Sequence, residues 1–260
     1  MPDRPAQLFK DGAFEFQMNL RRGSDAFFHP TAAHTALLAE RRHWLAAYPA
    51  HYIGQEPGTA DLLAETIAFA RALQPDLTAD SLQALGENWE PDFLLLRPDP
   101  TGVFRLVAGC VCFPSHWALE EKIGQPLTAI HAPVPTLNTS LGAKIDTFLA
   151  RLRPGEIWER SNWGLAATAE LNNHPTRPLP RLTATTPSDA IWLRLEHQAF
   201  RTLPTSGCLL FAIRLEIIPL LALPAETRTA LTATLRTMSP EIAAYKGLTA
   251  LLPRVLTTGL

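Results

Sequence analysis

The chain has 260 residues, 47% of them hydrophobic, which is enough for a large core in one or two domains. Its 25 acidic and 23 Lys or Arg side chains leave a formal charge of −2, so neither a nucleic acid nor a membrane surface is the expected partner. No apolar run approaches the about 20 residues that span a bilayer. The first residues, MPDRPAQLFKDG, lack the apolar segment of a signal peptide, and we expect a cytoplasmic protein.

Helical patterns dominate residues 1–86. Two segments carry apolar residues at helical spacing and end at a proline: PTAAHTALLAERRHWLAAYP and GTADLLAETIAFARALQP. A shorter helix, ADSLQAL, is predicted to stop at Gly86. We therefore expect residues 1–86 to form a helical N-terminal extension.

Strand patterns begin after this extension. PDFLLLR and VFRLVAGCVCF are separated by PDPTG, a turn rich in Pro, Asp and Gly. Ser115 then resembles the N-cap of a helix, HWALEEKI, that ends at Gly124. An amphipathic helix, TSLGAKIDTFLARLRPG, completes a crossover between the first strands and the next ones.

Three further strands are predicted in EIWERSNWGLA, AIWLRLEHQAF and CLLFAIRLEII, and LPTSG joins the last two into a hairpin. Helical patterns resume at Pro224. Two strands, a helical crossover and three antiparallel strands follow one another as in a PAS domain. We therefore predict an α+β fold in one compact domain, with a PAS-like five-stranded antiparallel sheet in residues 87–220 and C-terminal helices in residues 221–260.

The three cysteines do not suggest a disulfide framework. Cys110 and Cys112 alternate along an apparent strand, and a C-x-C pair by itself is a weak metal-binding pattern. We expect these two and Cys208 to be reduced and buried. The sequence also lacks C-x-x-C-H, so any haem would be bound non-covalently.

His131 is the leading candidate ligand. It lies in LTAIHAPVPTLN, within the predicted crossover, between apolar neighbours and close to two prolines that stiffen the chain. PAS-type haem sensors take their axial histidine from this crossover, and a locally hydrogen-bonded loop histidine is the alternative. His116 is the second choice, because the first turn of its predicted helix favours a neutral imidazole that can coordinate a metal.

Polar residues in the last hairpin are the other candidates. Alternation in the strand places Arg194, Glu196 and Gln198 on one face and His197 on the other. Arg194, Arg201 and Arg214 are cations that could bind the carboxylates of a haem, with solvated strand ends as the alternative. His174, in LNNHPTRP, is expected in a surface loop, and an approach to a distal pocket is its alternative.

Five blocks of the sequence, in this order, resemble the haem-dependent oxidative N-demethylase family. They are ENWEPDFLLL; GCVCFPSHW followed by EEKIGQPL; AIHAPVP; WERSNWGL; and LRLEHQAFRTLPTSG followed by FAIR. The resemblance covers about residues 87–220. It implies a PAS-type fold that binds haem b non-covalently, with His131 as the proximal ligand and Arg194, Glu196, Gln198, Arg201 and Arg214 as residues of interest.

The same resemblance implies an activity. Family members oxidise a small secondary amine such as dimethylamine with O2, as monooxygenases, and release formaldehyde. No flavin-, ferredoxin- or nicotinamide-binding segment is visible, so electrons are expected from separate flavin- or ferredoxin-type reductase proteins. Glu196 is the predicted partner of the substrate ammonium, with Gln198 beside it. Two alternatives stay open: a non-catalytic haem sensor or carrier, and a haem-free module that binds another small molecule.

Overall fold

The centre of the molecule is an antiparallel β-sheet. A computed structural model describes residues 8–9, 14–257 and 259–260. In this part of the chain the strands are β1 (Arg21–Arg22), β2 (Ile53–Gln55), β3 (Asp92–Pro98), β4 (Phe104–Cys110), β5 (Ile157–Ala166), β6 (Trp192–Thr202) and β7 (Leu209–Pro219). They pair in the order β1-β5-β6-β7-β3-β4-β2. The helices described below complete an α+β protein, which confirms the predicted class.

The five predicted strands are β3 to β7, and the β6–β7 hairpin is confirmed. The sheet nevertheless has seven strands among the described residues, so the prediction of five is wrong. The N-terminal segment expected to be a helical extension also contains two short strands, because β1 pairs with β5 and β2 pairs with β4. Each short strand covers part of a sheet edge that would otherwise expose unpaired backbone groups.

The helices surround this sheet. Within the described ranges they are α1 (His34–Ala47), α2 (Pro49–Tyr52), α3 (Ala60–Leu73), α4 (Leu82–Asn88), α5 (Leu127–His131), α6 (Leu137–Arg151), α7 (Ala225–Arg236), α8 (Pro240–Tyr245) and α9 (Leu252–Thr257). The helices predicted at α1, α3, α4 and α6 are confirmed. None of these helices combines the length and the apolar character needed to cross a membrane.

The helix predicted for HWALEEKI does not form. Residues 116–124 contain bends and turns and no helix, and His116 has a φ angle of 63°, which a right-handed helix does not allow. The Ser115 hydroxyl is not a cap but accepts a hydrogen bond from Nη2 of Arg194 at 3.3 Å. Leu119 of this segment is buried in the core. Tertiary packing therefore outweighs the local helical pattern here.

The two faces of the sheet contact different helices. The helix-capped face, which carries His197, packs against α1–α4 at one end and α7–α9 at the other. The opposite face, here called the crossover face, packs against α5 and α6. Phe148 of α6 lies edge-on to the rings of Trp158 and Phe200, with both centroid distances at 5.9 Å. The crossover thus closes over part of the sheet, as the chain order predicted.

A buried ion pair links α1 to the start of β3. The side chains of Arg41 and Asp92 are 0% and 3% exposed, and Nη1 of Arg41 contacts Oδ1 of Asp92. The Asp92 carboxylate also accepts hydrogen bonds from the backbone N–H groups of Cys112 (2.8 Å) and Phe113 (2.9 Å). Both charges are therefore compensated inside the protein. Cys110, Cys112 and Cys208 are buried and unpaired, as predicted.

Gly86 does not end α4, contrary to the prediction, because the helix continues to Asn88. It is buried, and a Cβ atom at this position would lie 2.5 Å from Sγ of Cys110. Glycine is therefore needed here for close packing of α4 on β4 and not for a turn.

Replacement of Gly86 with alanine should destabilise the protein by about 1–3 kcal/mol, because the added methyl group overpacks the core. The measurement is the free energy of unfolding in urea. The matched control is Gly142→Ala in α6, where no atom lies within 4 Å of the added Cβ. This helical position should gain about 0.5–1 kcal/mol. Equal stability of Gly86→Ala and the unmodified protein would contradict the packing argument.

Candidate functional site

Three adjacent strands place a regular set of residues on the crossover face, here called the site patch. Its rows, across β5, β6 and β7, are Arg160, Gln198 and Ile213; Asn162, Glu196 and Leu215; and Gly164, Arg194 and Ile217. The β6 column is polar and the β7 column is apolar. A Cβ added to Gly164 would meet no atom within 4 Å, so there is open space above this end of the β5 column.

Hydrogen bonds connect the polar residues of the site patch. Oε2 of Glu196 accepts bonds from Nε2 of Gln198 (2.9 Å) and Nδ2 of Asn162 (3.2 Å). Oε1 of Gln198 accepts a bond from Nε of Arg160 at 2.7 Å. The two Nη atoms of Arg160 have no hydrogen-bond partner in the described part of the chain. They are donors that a bound carboxylate could use.

Arg194 donates hydrogen bonds to backbone carbonyls and not to the other side chains of the patch. Its Nη1 donates to the carbonyl oxygen of Glu170 (2.6 Å) and its Nη2 to that of Leu171 (2.9 Å). Its Nε is buried without a partner among the residues that the structure describes. Burial lowers the pKa of Arg194 to about 10. Arg194 therefore stays cationic at neutral pH and holds the segment around residue 170 to the sheet.

His131 is the last residue of α5 and is half-buried. Burial, together with the nearby Arg160 cation, lowers the pKa of His131 to about 4. Its imidazole makes no hydrogen bond with any other described residue. A neutral ring with a free lone pair is the form in which histidine binds a metal.

A cavity of about 660 Å³ shares residues with the site patch. Its lining includes the apolar β7 column, namely Ile213, Leu215 and Ile217, and residues of the helix-capped face, namely His197, Arg214 and Glu216. Pairing between β3 and β7 ends at Asp92 and Ile213, so the rest of β7 has an open edge beside which the cavity forms. The volume falls within the about 300–1,000 Å³ of small-molecule sites.

Two of the predicted cations lie on the helix-capped face and not in the site patch. Arg201 lies over the ring of Phe69, 4.1 Å from its centroid, and its Nη1 is 3.3 Å from Oδ1 of Asp25. Nη1 of Arg214 is 3.4 Å from Oε1 of Glu90, and Arg214 lines the cavity. The structure thus brings Arg194, Glu196 and Gln198 together and separates them from Arg201.

The remaining predicted histidines occupy three different environments. His116 is exposed, in the turn region described above. His197 is on the face opposite to Glu196, as predicted, with its Nε2 3.0 Å from Oε2 of Glu216. The expectation that His174 lies on the surface is wrong, since it is 2% exposed. The loop between β5 and β6 folds inward and places its imidazole against the ring of Tyr52, 5.4 Å between centroids.

The sequence reasoning missed the β5 members of the site patch, Arg160 and Asn162. Alternation in EIWERSNWGLA already places these two residues on one strand face. Strand periodicity alone does not say which face of a neighbouring strand they join, because that depends on the register. The signal available in the sequence was that a charged residue and an amide share one face of a predicted strand.

Residues 28–256 match the model of the family described as haem-dependent oxidative N-demethylase, alpha subunit-like. The chain belongs to this family. The match includes His131 and the whole site patch, and it confirms the resemblance seen in the sequence blocks. Membership in the N-demethylase family indicates a haem-dependent, N-demethylase-like protein.

Proposed function

We propose that this N-demethylase family member catalyses the oxidative N-demethylation of a small secondary amine such as dimethylamine. One amine, one O2, two electrons and two protons give the primary amine, formaldehyde and water. The family match over residues 28–256 is the observation that carries the proposal. We further propose that residues 87–220 are a PAS-like core, which the central strand order β5-β6-β7-β3-β4 supports.

The residues of the site patch and of α5 fit a non-covalent haem b. Such a group needs an axial ligand, donors for its carboxylates and an apolar wall. Neutral His131 would hold the haem iron, and the free Nη atoms of Arg160 would donate to the haem carboxylates. Arg194 adds a further positive charge within the patch, whereas Arg214 lies on the helix-capped face and pairs with Glu90. When bound, the haem would supply the dioxygen chemistry that side chains lack.

The protein's own part is to bind and orient the amine. The Glu196 carboxylate is the proposed acceptor of hydrogen bonds from the substrate ammonium. Gln198 and Asn162 each donate to its Oε2 and so fix its orientation, while Oε1 of Glu196 makes none of these hydrogen bonds. The apolar β7 column would exclude water from the N-methyl group.

Electrons are proposed to come from separate flavin- or ferredoxin-type reductase proteins. The family description of an alpha subunit supports the presence of other subunits.

The direct test of the proposed function adds dimethylamine, O2 and a ferredoxin–reductase pair with NADPH to the purified protein. Formaldehyde and methylamine are expected in equal amounts. A haem-loaded protein that releases no formaldehyde would be a sensor or carrier. A protein that stays colourless after expression with ample haem precursor would be a haem-free module. Either result would overturn the proposal.

Replacement of Glu196 with glutamine should lower kcat/KM for dimethylamine by about 10- to 100-fold, because a hydrogen bond to a charged group contributes about 1.5–3 kcal/mol. The haem content should be unchanged, since the substitution preserves shape. Glu226→Gln, at an exposed position in α7, is the control and should keep full activity. An unchanged kcat/KM in Glu196→Gln would remove the assigned role of this carboxylate.

A further inference from the structure

Three side chains from separate segments meet outside the site patch. His51 belongs to α2, Glu120 to the turn region after β4, and His174 to the loop between β5 and β6. Nδ1 of His51 is 2.7 Å from Oε1 of Glu120, and Nε2 of His174 is 3.3 Å from the same oxygen. One ligand atom from each residue lies within 4.8 Å of the other two. We call these residues the His51 cluster.

The distances suit a small divalent ion. In a tetrahedral zinc site, with ligand atoms at about 2.0–2.1 Å from the ion, these atoms lie about 3.3 Å from one another. The distance from Nε2 of His174 to Oε1 of Glu120, 3.3 Å, matches this value, and the distance from Nδ1 of His51, 2.7 Å, is shorter. The third separation, between the two imidazole nitrogens, is within 4.8 Å. Two imidazoles and a carboxylate are also a frequent donor set for zinc.

The burial of His174 and its contact with Thr176 also suit a metal site. The side chain of His174 is 1% exposed, whereas those of His51 and Glu120 are 34% exposed, so an ion has a path from solvent to a buried inner ligand. Nδ1 of His174 is 2.8 Å from Oγ1 of Thr176. The backbone N–H of Thr176 also lies 3.4 Å from this Nδ1. In the tautomer whose Nδ1 donates its proton to the hydroxyl, Nε2 is left free to coordinate, as in known histidine sites.

We propose that the His51 cluster binds one divalent transition-metal ion of the zinc type. The ion would tie the loop between β5 and β6 to α2 and to the turn region at residue 120. The same loop provides the carbonyl oxygens of Glu170 and Leu171 that accept the hydrogen bonds of Arg194. Metal binding would therefore hold in place the loop that contacts Arg194 of the site patch.

Zinc binding to the untagged full-length protein tests this site. After treatment with a chelator and desalting, the protein is loaded with Zn²⁺, desalted again and its metal content determined by mass spectrometry. One zinc per chain is expected for the unmodified protein, with loss of this zinc in His51→Ala and in Glu120→Gln. His43→Ala, which changes an exposed histidine of α1 outside the cluster, should retain it. Failure of the unmodified protein to retain zinc, or equal zinc in Glu120→Gln, would overturn the proposal.

Two further variants separate this site from the proposed haem site and from a general loss of structure. His131→Ala should bind zinc as the unmodified protein does, whether or not it binds haem. Thr176→Val keeps all three ligands but removes the hydroxyl near His174, and should weaken zinc binding by about tenfold or more in a chelator competition. Zinc should also raise the Tm of the unmodified protein but not that of Glu120→Gln. An equal rise of Tm in both proteins would contradict binding at this cluster.

Discussion

Replacement of His131 with alanine is expected to abolish stoichiometric haem binding and the Soret band of the purified protein. The imidazole is the group that we propose to hold the haem iron, and its low pKa, about 4, keeps it neutral and able to coordinate at neutral pH. Alanine has no atom that can replace it. The measurement is an absorption spectrum of the oxidised and dithionite-reduced protein after reconstitution with haem.

The control for this experiment is His116→Ala, which removes the second candidate ligand. This variant should bind haem as the unmodified protein does, because His116 is exposed in a turn. Circular dichroism would show that both variants are folded, and added imidazole should partly restore the Soret band of His131→Ala. A full Soret band with one haem per chain in His131→Ala would exclude this residue as the ligand. Loss of haem in His116→Ala alone would reverse the assignment.

Replacement of Asp92 with alanine should destabilise the protein by about 3–5 kcal/mol, the cost of leaving one partner of a buried ion pair uncompensated. Arg41, which is 0% exposed, would lose its counterion. The backbone N–H groups of Cys112 and Phe113 would also lose their acceptor. The free energy of unfolding in urea measures the effect.

The comparison for Asp92→Ala is Asp61→Ala, which breaks an ion pair with Arg97 at the surface, where the Asp61 side chain is 64% exposed. Water solvates both charges there, so a much smaller loss is expected. A loss for Asp92→Ala no larger than that for Asp61→Ala would show that the buried pair does not stabilise this fold. The double variant Arg41→Met, Asp92→Leu should recover part of the lost stability, since no charge is left buried.

Local patterns predicted most of the elements correctly, and they failed where packing opposed them. The period-two runs of β6 and β7 and the turn between them were sufficient to predict the hairpin. In contrast, HWALEEKI has a helical composition, but the buried position of Leu119 and the positive φ of His116 keep it in turns. The edge strands β1 and β2 are two and three residues long, too short for any periodicity to show.

Part of the candidate site could likewise be predicted from the sequence, and part of it could not. Alternation along β6 was enough to group Arg194, Glu196 and Gln198, because neighbouring positions of one strand have a fixed relation. The addition of Arg160 depends on the register between β5 and β6, and the separation of Arg201 from the patch depends on which helices cover each face.

The sequence by itself determined the α+β class, the five central strands, the family blocks and the position of His131 in the crossover. Only the tertiary structure decided which side chains of different segments meet, as in the site patch and in the His51 cluster. The physical reason is that strand periodicity and turn chemistry act over a few residues. Contacts such as that between His51 and Glu120, which are 69 residues apart, depend instead on register and packing of the whole chain.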